Sequence, residues 1–542
     1  TIRRCLRCNE CLGEVMRNCG ISCAVNAEAG KEFEGFTQVI PAIKEKNVAV
    51  IGGGPAGMVA AAYAAENGLK PILVEKLPGV GGNLMMLEIT FGQRTKFTDQ
   101  DQVYYPSDEL IADFLAYSHY MVNPIMVRRF IERSGENIKW LTNRGVEIVG
   151  NTATELNGRR VGHIYKNVFP HRNFIEAMRK IILDNGGQII VETRADKLIQ
   201  NADGRVVGLH AKNYLNDDVI VHAKGGVILA AGGYGANPNL LNLLNPDMPA
   251  DTPITGRKNS TGDGIQMGID IGAKTAGGEA FISEGALPYK VDYREVINQK
   301  TWIAANVLNK GPSLQLNKNG RRFFNEGLSG DFSVSGNALR INGNYLYTLV
   351  DDDEKRDLET GSGAVFGYFG HALPGDKMTG LSNLFSGKGR MAEVAFVGST
   401  IEEVAKKAGL DPKAVRATVD RYNKFCDEGV DSDFNKDRRY LRPVRKGPFY
   451  IVKGQHTICD TAGGLLVNED AQVIGKNGDP IPGLYASGAM AGGKYGPSYV
   501  YNVATGYASA SAMMGGTFAV QDIAKKSFKR KIVYTADLPI KK

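Results

Sequence analysis

A short apolar strand, a glycine-rich loop and an alanine-rich helix, in that order, most constrain the fold of this chain. Residues 47–51 (NVAVI) are mostly apolar and β-branched, as in the buried strands of parallel sheets. Gly52, Gly54 and Gly57 follow in the spacing G-x-G-x-x-G, and residues 58–67 are rich in alanine. The first glycine of such a loop allows a tight turn, the second lets the backbone approach a pyrophosphate, and the third lets the helix pack closely on the strand. The segment therefore predicts a dinucleotide-binding α/β fold.

A second strand brings a carboxylate to the same site. Residues 71–74 (PILV) have the composition of another buried strand, and Glu75 follows it, 23 residues after Gly52. An acidic residue at this distance accepts hydrogen bonds from the ribose hydroxyls of a dinucleotide. This order of elements favours nucleotide binding over a glycine-rich turn in an unrelated α/β domain, and both NAD and FAD fit this half.

The composition of the 542 residues is that of a globular protein, with 43% hydrophobic and 23% charged residues, and it excludes a disordered or fibrous chain. The most apolar stretch, residues 48–65, is interrupted by glycines and Pro55, which favours strand, loop and helix over a membrane span. The net charge of +7 is partly concentrated in residues 525–531, which we interpret as a solvated tail. No nucleic-acid recognition motif accompanies that tail, and we expect no signal peptide.

The seven cysteines are distributed unevenly, because five of them lie within the first 23 residues. A disulfide scaffold would not be distributed in this way, so we expect a reduced, cytoplasmic compartment and a metal site. Cys5, Cys8 and Cys11 stand at successive gaps of two residues, which favours an iron–sulfur cluster over zinc, with free thiols as a third alternative. From spacing alone, either Cys19 or Cys23 is a candidate fourth ligand.

The cysteine-rich segment resembles that of a known family. Residues 4–11 (RCLRCNEC) and 21–32 (ISCAVNAEAGKE) are similar to the [4Fe-4S] segment of Old Yellow Enzyme relatives such as trimethylamine dehydrogenase and 2,4-dienoyl-CoA reductase. The resemblance implies a [4Fe-4S] cluster on Cys5, Cys8, Cys11 and Cys23. It also implies an FMN-containing TIM-barrel domain or subunit upstream, either removed from this chain or supplied separately.

The rest of the chain resembles a different family. Four glycine-rich segments follow Glu75: residues 81–83 (GGN), 225–235 (GGVILAAGGYG), 260–264 (STGDG) and 479–488 (DPIPGLYASG). They are similar, in this order, to the fumarate reductase family of flavoproteins, which includes urocanate reductase and 3-ketosteroid dehydrogenases. The resemblance implies FAD and an α/β fold: a discontinuous Rossmann-like FAD-binding domain, an inserted α+β capping domain and the N-terminal iron–sulfur segment.

The implied domain boundaries are 1–40 for the cluster segment, 46–276 and 446–520 for the FAD-binding domain, 277–445 for the capping domain and 521–542 for a basic tail. The predicted cofactor-binding residues are Gly52, Gly54, Pro55, Ala56, Gly57, Glu75, Lys76, Gly82, Asn83, Ala195, Ala231, Gly232, Gly233, Asp263, Gly488, Asn502, Ala504 and Thr505.

The chain departs from this family where substrate is expected to bind. The family's proton-donating arginine precedes an aspartate, and Gly330 stands at that place before Asp331. Tyr499 replaces an arginine that binds a carboxylate, and a histidine of the capping domain falls near Glu284, whereas His456 keeps its family residue. We interpret these losses as evidence against a dicarboxylate substrate, because a neutral side chain does not replace an arginine clamp.

Tyrosines are frequent in the same region, residues 494–502 (KYGPSYVYN). The 3-ketosteroid dehydrogenase branch carries tyrosines near this point, where a phenol donates to a ketone oxygen or transfers a proton. We therefore predict Tyr499, Tyr495 and His456 as catalytic residues. Packing beside the flavin is the alternative for the tyrosines, and a structural hydrogen bond is the alternative for His456.

Together these features predict an FAD- and [4Fe-4S]-dependent oxidoreductase that reduces, or forms, a C=C bond conjugated to a carbonyl in a neutral enone-like or ketone substrate. Electrons would reach FAD through the cluster from a flavin partner, and we also expect an oligomer. The alternative is an electron-transfer subunit that serves an FMN barrel; an enzyme keeps an open cavity at the flavin, whereas a relay can fill it. A nicotinamide-dependent reductase is less favoured because no second G-x-G-x-x-G follows a strand.

Overall fold

The glycine-rich segment folds as its sequence predicts. In the computed structural model Val48–Ile51 form a buried strand, Pro55–Glu66 form a helix, and Pro71–Val74 form a second strand parallel to the first. Both strands are buried throughout, which explains why their sequences are continuously apolar rather than alternating. The structure describes residues 48–532 except 152–160, 167–171, 247, 249–250, 257 and 367–371.

The described strands, in chain order, are β1 (Val48–Ile51), β2 (Pro71–Val74), β3 (Ile89–Phe91), β4 (Ile148–Asn151), β5 (Gly162–Tyr165), β6 (Gln188–Ile190), β7 (Thr193–Gln200), β8 (Val206–Asn213), β9 (Asp218–His222), β10 (Val227–Leu229), β11 (Thr275–Ala276), β12 (Phe281–Pro288), β13 (Leu314–Leu316), β14 (Tyr345–Val350), β15 (Ala395–Gly398), β16 (Phe449–Thr461), β17 (Gly464–Leu466), β18 (Gln472–Ile474), β19 (Pro480–Ala486) and β20 (Ala491–Gly492).

The described helices are α1 (Pro55–Glu66), α2 (Lys96–Gln100), α3 (Ser107–Tyr117), α4 (Pro124–Thr142), α5 (Arg172–Asp184), α6 (Pro238–Leu244), α7 (Asp263–Asp270), α8 (Tyr293–Asn298), α9 (Lys300–Lys310), α10 (Phe332–Ile341), α11 (Asp352–Thr360), α12 (Leu381–Leu384), α13 (Met391–Val394), α14 (Ile401–Lys407), α15 (Pro412–Glu428) and α16 (Tyr507–Phe528).

A six-stranded sheet in the order β18-β19-β10-β1-β2-β6 forms the centre of the nucleotide-binding part. Its strands run parallel except for the edge strand β18. Helix α1 packs between α16 and α5, which follows from its run of buried alanines. Strands β10 and β19 come from residues far apart in sequence, so two separate stretches of chain build this sheet.

A second, antiparallel sheet lies between those two stretches in sequence. Its order is β12-β16-β14-β13, with β15 also paired to β16. The pairing of β12 with β16 is irregular near Ser283, with register shifts on both sides of that residue. Such bulges change the direction in which a side chain points. Helices α9 and α10 pack on β12.

Three smaller sheets complete the described fold, in the orders β3-β5-β4, β7-β8-β9 and β11-β17-β20. In the part of the chain that the structure describes, none of the helices combines the length and hydrophobicity that crossing a membrane requires.

A buried network of ion pairs joins the segment after β13 to the segment after α15. The Arg322 guanidinium donates to both carboxylate oxygens of Glu326 and of Asp431, at 2.6–2.9 Å. Lys436 Nζ lies 3.5 Å from Glu326, and all these side chains are at most 4% exposed. Because an unpaired buried charge is costly, each member requires the others. We assign these four side chains a structural role, and none of them lines the cavity at the carboxyl ends of β1, β2 and β10.

Candidate active site

A cavity lies at the carboxyl ends of β1, β2 and β10, where nucleotides bind in open α/β sheets. It contains about 1720 Å³ of atom-free space, its mouth included, and extends from the glycine-rich loop to β12, β16 and α10. The predicted site residues that line it are Gly52, Gly54, Pro55, Ala56, Glu75, Lys76, Gly82, Asn83, Ala195, Ala231, Gly232, Asp263, Gly488, Tyr495, Tyr499 and Thr505.

The glycine-rich loop opens the start of helix α1 to the cavity. Gly52 has a φ of +105°, which residues with a side chain rarely adopt. A Cβ at Gly57 would lie 1.9 Å from the Gly52 carbonyl oxygen, so glycine is required there as well. Gly54 is the N-cap of α1 and makes no side-chain cap hydrogen bond. A Cβ at Gly54 would meet no atom of the described residues within 4 Å, so this position faces open space. Uncapped amides at a helix N-terminus attract phosphate groups.

A buried carboxylate lies beside this loop. Glu75 Oε2 accepts a hydrogen bond from the Gly53 amide at 2.5 Å, and Oε1 accepts one from the Leu77 amide at 2.8 Å. Burial raises the pKa of Glu75, and the backbone hydrogen bonds oppose that rise. A carboxylate oxygen has a second lone pair, so these bonds leave acceptor capacity for ribose hydroxyls.

The two cations that line this end of the cavity, Lys76 and Arg194, are both paired with Asp263. Lys76 Nζ lies 2.9 Å from Asp263 Oδ2, and Arg194 Nη2 lies 2.8 Å from Asp263 Oδ1. Burial opposes ionisation of Asp263, but the hydrogen bonds from Arg194 and Lys76 hold its pKa below the usual value. The glycine-rich loop, Glu75 and this trio therefore form a polar end of the cavity.

The opposite end of the cavity is aromatic. Phe332 at the start of α10 stacks on Tyr501, with ring centroids 4.5 Å apart and an interplanar angle of 19°. Lys310 Nζ lies 3.9 Å from the centroid of the Phe332 ring. Tyr495 and Tyr499 pack edge to face, with centroids 5.3 Å apart. This wall suits a flat, conjugated group.

The Tyr499 hydroxyl is oriented by a helix N-terminus. Its oxygen accepts a hydrogen bond from the Ala508 amide, in the first turn of α16, at 3.3 Å. The Tyr499 carbonyl accepts a hydrogen bond from Ser333 Oγ at 2.5 Å, which joins this loop to α10. The Tyr495 hydroxyl instead lies 3.4 Å from Oγ of Ser511, in the second turn of α16. Burial strongly raises the pKa of Tyr495.

The open loop, the uncapped helix and the buried carboxylate fit an FAD, and comparison with known proteins agrees. The model of the family described as "FAD binding domain" matches residues 47–501. The chain belongs to this family. It is an FAD-dependent oxidoreductase acting on CH–CH or C=C groups, and its mixed α/β flavoprotein fold is like that of fumarate reductase. The predictions of FAD and of this fold are confirmed.

Two relatives illustrate the range of this family. The chain is 30% identical to a vinyl phenol reductase of Lactiplantibacillus plantarum, over 88% of this chain and 96% of that protein. It is 28% identical to a urocanate reductase of Eggerthella lenta, over 88% of this chain and 76% of that protein.

Solved structures have the same fold. The open form of a flavocytochrome c3 fumarate reductase superposes with a TM-score of 0.66 at 25% identity, covering 93% of this chain and 82% of that one. A 3-ketosteroid-Δ4-(5α)-dehydrogenase from Rhodococcus jostii RHA1 superposes with a TM-score of 0.70 at 20% identity, covering 90% of this chain and 99% of that one.

We call this cavity the flavin cavity. Five of the predicted residues do not line it. Gly57 and Gly233 lie behind it in tight packing, and Ala504 is fully buried in the core. The Asn502 amide donates to Asp331 Oδ2 at 2.9 Å. His456 is also buried behind the cavity wall, where its Nε2 lies 3.1 Å from Ser283 Oγ. The catalytic role of His456 stays a prediction, and in this arrangement its ring contacts Ser283 and does not line the cavity.

Asp460 is one of the polar wall residues that sequence reasoning missed, together with Arg194 and Ser283. Its Oδ2 accepts a hydrogen bond from the Asn83 amide at 2.8 Å. Burial raises the pKa of Asp460 to about 6, and burial lowers the pKa of the nearby Lys494 to about 7. Asp460 lies in the largely buried strand β16, where a charge is costly unless it has partners or a role.

The predicted cluster ligands Cys5, Cys8, Cys11 and Cys23 lie outside the described residues. Within the residues that are described, no group of three or more His, Cys, Asp or Glu side chains is arranged to hold a metal ion. The predicted cluster is therefore carried by the sequence of the N-terminal segment alone.

Proposed function

We propose that this flavoenzyme reduces the C=C bond of a small neutral substrate in which the bond is conjugated to a carbonyl group or a phenol ring. The charge of the cavity wall carries the proposal. Lys76 and Arg194 are the cations among the described lining residues, and both are bonded to Asp263 at the polar end. Asp460, bonded to Asn83 on the same wall, adds an acidic group, and no further Lys or Arg among the described residues lines the cavity to bind a substrate carboxylate.

The relatives support a neutral substrate within a family of wider range. A relative that is 30% identical over nearly its whole length is named for vinyl phenol, a neutral aromatic compound. Other relatives are named for fumarate and urocanate, which carry carboxylates. The aromatic wall of Phe332, Tyr495, Tyr499 and Tyr501 suits the former class better, because it offers flat apolar surface and, among the described residues, no cation lines the cavity there.

The chemistry divides between the cofactor and the chain. FAD supplies hydride transfer when it is bound in the cavity. The chain's aromatic wall holds the conjugated substrate and excludes water, and Tyr499 donates the proton that completes addition across the double bond. The C=C bond thereby gains one hydride and one proton and becomes a CH–CH bond. Residues 46–276 and 446–520 form the FAD-binding part in this proposal, and 277–445 form a cap.

The proposal predicts which compounds oxidise the reduced holoenzyme. We expect para-vinylphenol or benzylideneacetone to reoxidise anaerobically reduced holoenzyme at least about 100-fold faster than fumarate does, because the aromatic end binds flat neutral groups and offers no arginine to a carboxylate. The measurement is the return of the visible flavin absorbance in a stopped-flow instrument, which needs no knowledge of the physiological donor.

Free reduced FAD mixed with the same compounds is the control for reaction without the protein. Faster reoxidation by fumarate than by either neutral compound would contradict the neutral substrate class. Reoxidation by none of the three would contradict the enzyme proposal and favour the electron-transfer subunit.

We further propose that electrons reach FAD from a [4Fe-4S] cluster on Cys5, Cys8, Cys11 and Cys23, and that an FMN-containing barrel reduces the cluster. The spacing of these cysteines and their resemblance to Old Yellow Enzyme relatives support this route. A cluster transfers single electrons, so it would link a flavin partner to the two-electron chemistry of FAD.

The cluster proposal predicts that the Cys8→Ser variant loses its iron and the broad visible absorbance of a cluster, because a cubane needs all four thiolates. Iron is measured by a colorimetric assay on anaerobically purified protein. The Cys426→Ser variant is the matched control and should keep the wild-type iron content, since Cys426 is a half-buried cysteine away from the cavity. Unchanged iron in the Cys8→Ser variant would refute the ligand assignment.

A further inference from the structure

A serine of the cavity wall is held by a histidine from behind. Ser283 lines the flavin cavity, and its Oγ lies 3.1 Å from Nε2 of His456, which is buried behind it. The Gly285 amide donates to the same Oγ at 2.9 Å. The bulge in β12 brings these three residues together, because the register of β12 on β16 shifts on both sides of Ser283 and Gly285 has a φ of +63°.

Helix α10 leaves room for this pair. A Cβ at Gly336 would lie 2.4 Å from Ser283 Oγ and 3.0 Å from His456 Nε2, closer than packed atoms approach. Any larger residue at this position would displace the pair. A bulge on one side and a glycine on the other therefore accommodate the same contact between Ser283 and His456.

The hydrogen bonds around His456 decide where the proton of the Ser283 hydroxyl points. Burial lowers the pKa of His456 to about 3, so the ring is neutral, and Nδ1 has no hydrogen-bond partner within the described part of the chain. A buried N–H without a partner costs more than an unused lone pair, so we assign the proton to Nε2. His456 then donates to Ser283 Oγ.

With this tautomer, both lone pairs of Ser283 Oγ are occupied, one by the Gly285 amide and one by His456. The hydroxyl proton must then find an acceptor elsewhere. Among the described residues the Thr457 carbonyl oxygen is within reach, at 3.5 Å, which is the limit of a hydrogen bond. The cavity is the remaining direction.

We propose that the Ser283 hydroxyl donates a hydrogen bond to the carbonyl or phenol oxygen of the substrate, and that His456 is the positioning residue that fixes this orientation. The inference rests on the proposed function and adds to it the group that selects an oxygen-bearing substrate. Ser283 lines the same cavity as the aromatic side chains Phe332, Tyr499 and Tyr501.

The test compares the binding of two ligands that differ by one hydroxyl group. Binding of para-ethylphenol and of ethylbenzene to the oxidised holoenzyme is followed by the change in the flavin spectrum. We expect Ser283→Ala to weaken para-ethylphenol binding about 10-fold and to leave ethylbenzene binding unchanged, because one hydrogen bond is lost. The Ser335→Ala variant is the matched control, since the Ser335 hydroxyl bonds back to the Asp331 carbonyl within its own helix, and it should bind both ligands as the wild type does.

The role of His456 is tested through Ser283. We expect His456→Leu to weaken para-ethylphenol binding to the same extent as Ser283→Ala, and the double variant to lose no more than either single one. His456→Gln, whose amide can still donate to Ser283 Oγ, should recover part of the affinity. Retained FAD in each variant, measured by visible absorbance, separates these effects from loss of folding.

Three results would overturn the proposal. Equal weakening of the binding of both ligands in Ser283→Ala would show that Ser283 only shapes the cavity. Unchanged para-ethylphenol binding in Ser283→Ala would show that the Ser283 hydroxyl makes no hydrogen bond to the ligand. Failure of the wild type to bind either ligand would overturn the neutral substrate class together with this inference. The wild type therefore tests the proposed function, and the variants test the role of Ser283.

Discussion

The Gly54→Val variant is expected to fold and to bind no FAD. Gly54 begins helix α1 with extended backbone, φ −71° and ψ −178°, so a β-branched residue is compatible with its conformation. A Cβ there would meet no atom of the described residues within 4 Å, so the added side chain would extend into the cavity without a clash. That room is the space through which a pyrophosphate approaches the helix N-terminus, and a valine side chain would fill it.

The measurement is the flavin content of the purified variant together with its thermal unfolding against the apo form of the wild type. We expect flavin below about 5% of the wild-type content and an apo melting temperature within about 3 °C of the wild type, because the substitution adds no clash in the protein itself. The Gly79→Val variant is the matched control. A Cβ at Gly79 also meets no described atom within 4 Å, but Gly79 is exposed and outside the cavity lining. Retained flavin in Gly54→Val would show that the cofactor binds elsewhere.

The part of the site that could be predicted from sequence is the part built by neighbouring residues. The strand Val48–Ile51, the turn at Gly52, the start of α1 and Glu75 after β2 all lie where their spacing predicts. Each of these features depends on contacts within about 25 residues of chain. Periodicity and glycine spacing describe such contacts directly, because a strand, a turn and a helix have fixed repeats.

The far wall of the cavity could not be predicted in the same way, because it depends on the pairing of β12 with β16. His456 and Asp460 are four residues apart on β16, and sequence reasoning chose the histidine. Asp460 lines the cavity, whereas His456 lies behind the cavity wall and contacts Ser283. The register shifts at Ser283 are a property of two strands about 170 residues apart, and no local pattern encodes them.

Asn502 illustrates a second limit. It was predicted as a cofactor-binding residue, but its amide donates to Asp331, which the Tyr117 hydroxyl also contacts at 2.9 Å. Asp331 is the N-cap of α10, and its carboxylate also accepts from the amides of that helix. Asn502 and Tyr117 therefore join the aromatic wall to the nucleotide-binding part through Asp331. This role depends on contacts between residues far apart in sequence, which local patterns do not predict.

These contacts give Tyr499 a fixed environment for its proposed chemistry. The carbonyl of Tyr499 is held by Ser333 in the first turn of α10, and its hydroxyl oxygen accepts from the Ala508 amide in the first turn of α16. A proton donor in this position and a serine that binds the substrate oxygen would act on different atoms of one substrate.

The Tyr499→Phe variant is expected to reduce turnover by about 100-fold to 10,000-fold while keeping its FAD, because general acid catalysis contributes roughly that factor. The measurement is the reoxidation of reduced holoenzyme by saturating para-vinylphenol, with flavin content determined on the same sample. Tyr495→Phe is the comparison, since the Tyr495 hydroxyl lies 3.4 Å from Ser511 and burial strongly raises its pKa, so its loss should cost less than about 10-fold. Turnover of Tyr499→Phe within a few fold of the wild type would make Tyr499 a packing residue. A loss in Tyr495→Phe as large as that in Tyr499→Phe would instead assign the proton transfer to the pair, whose rings are in edge-to-face contact.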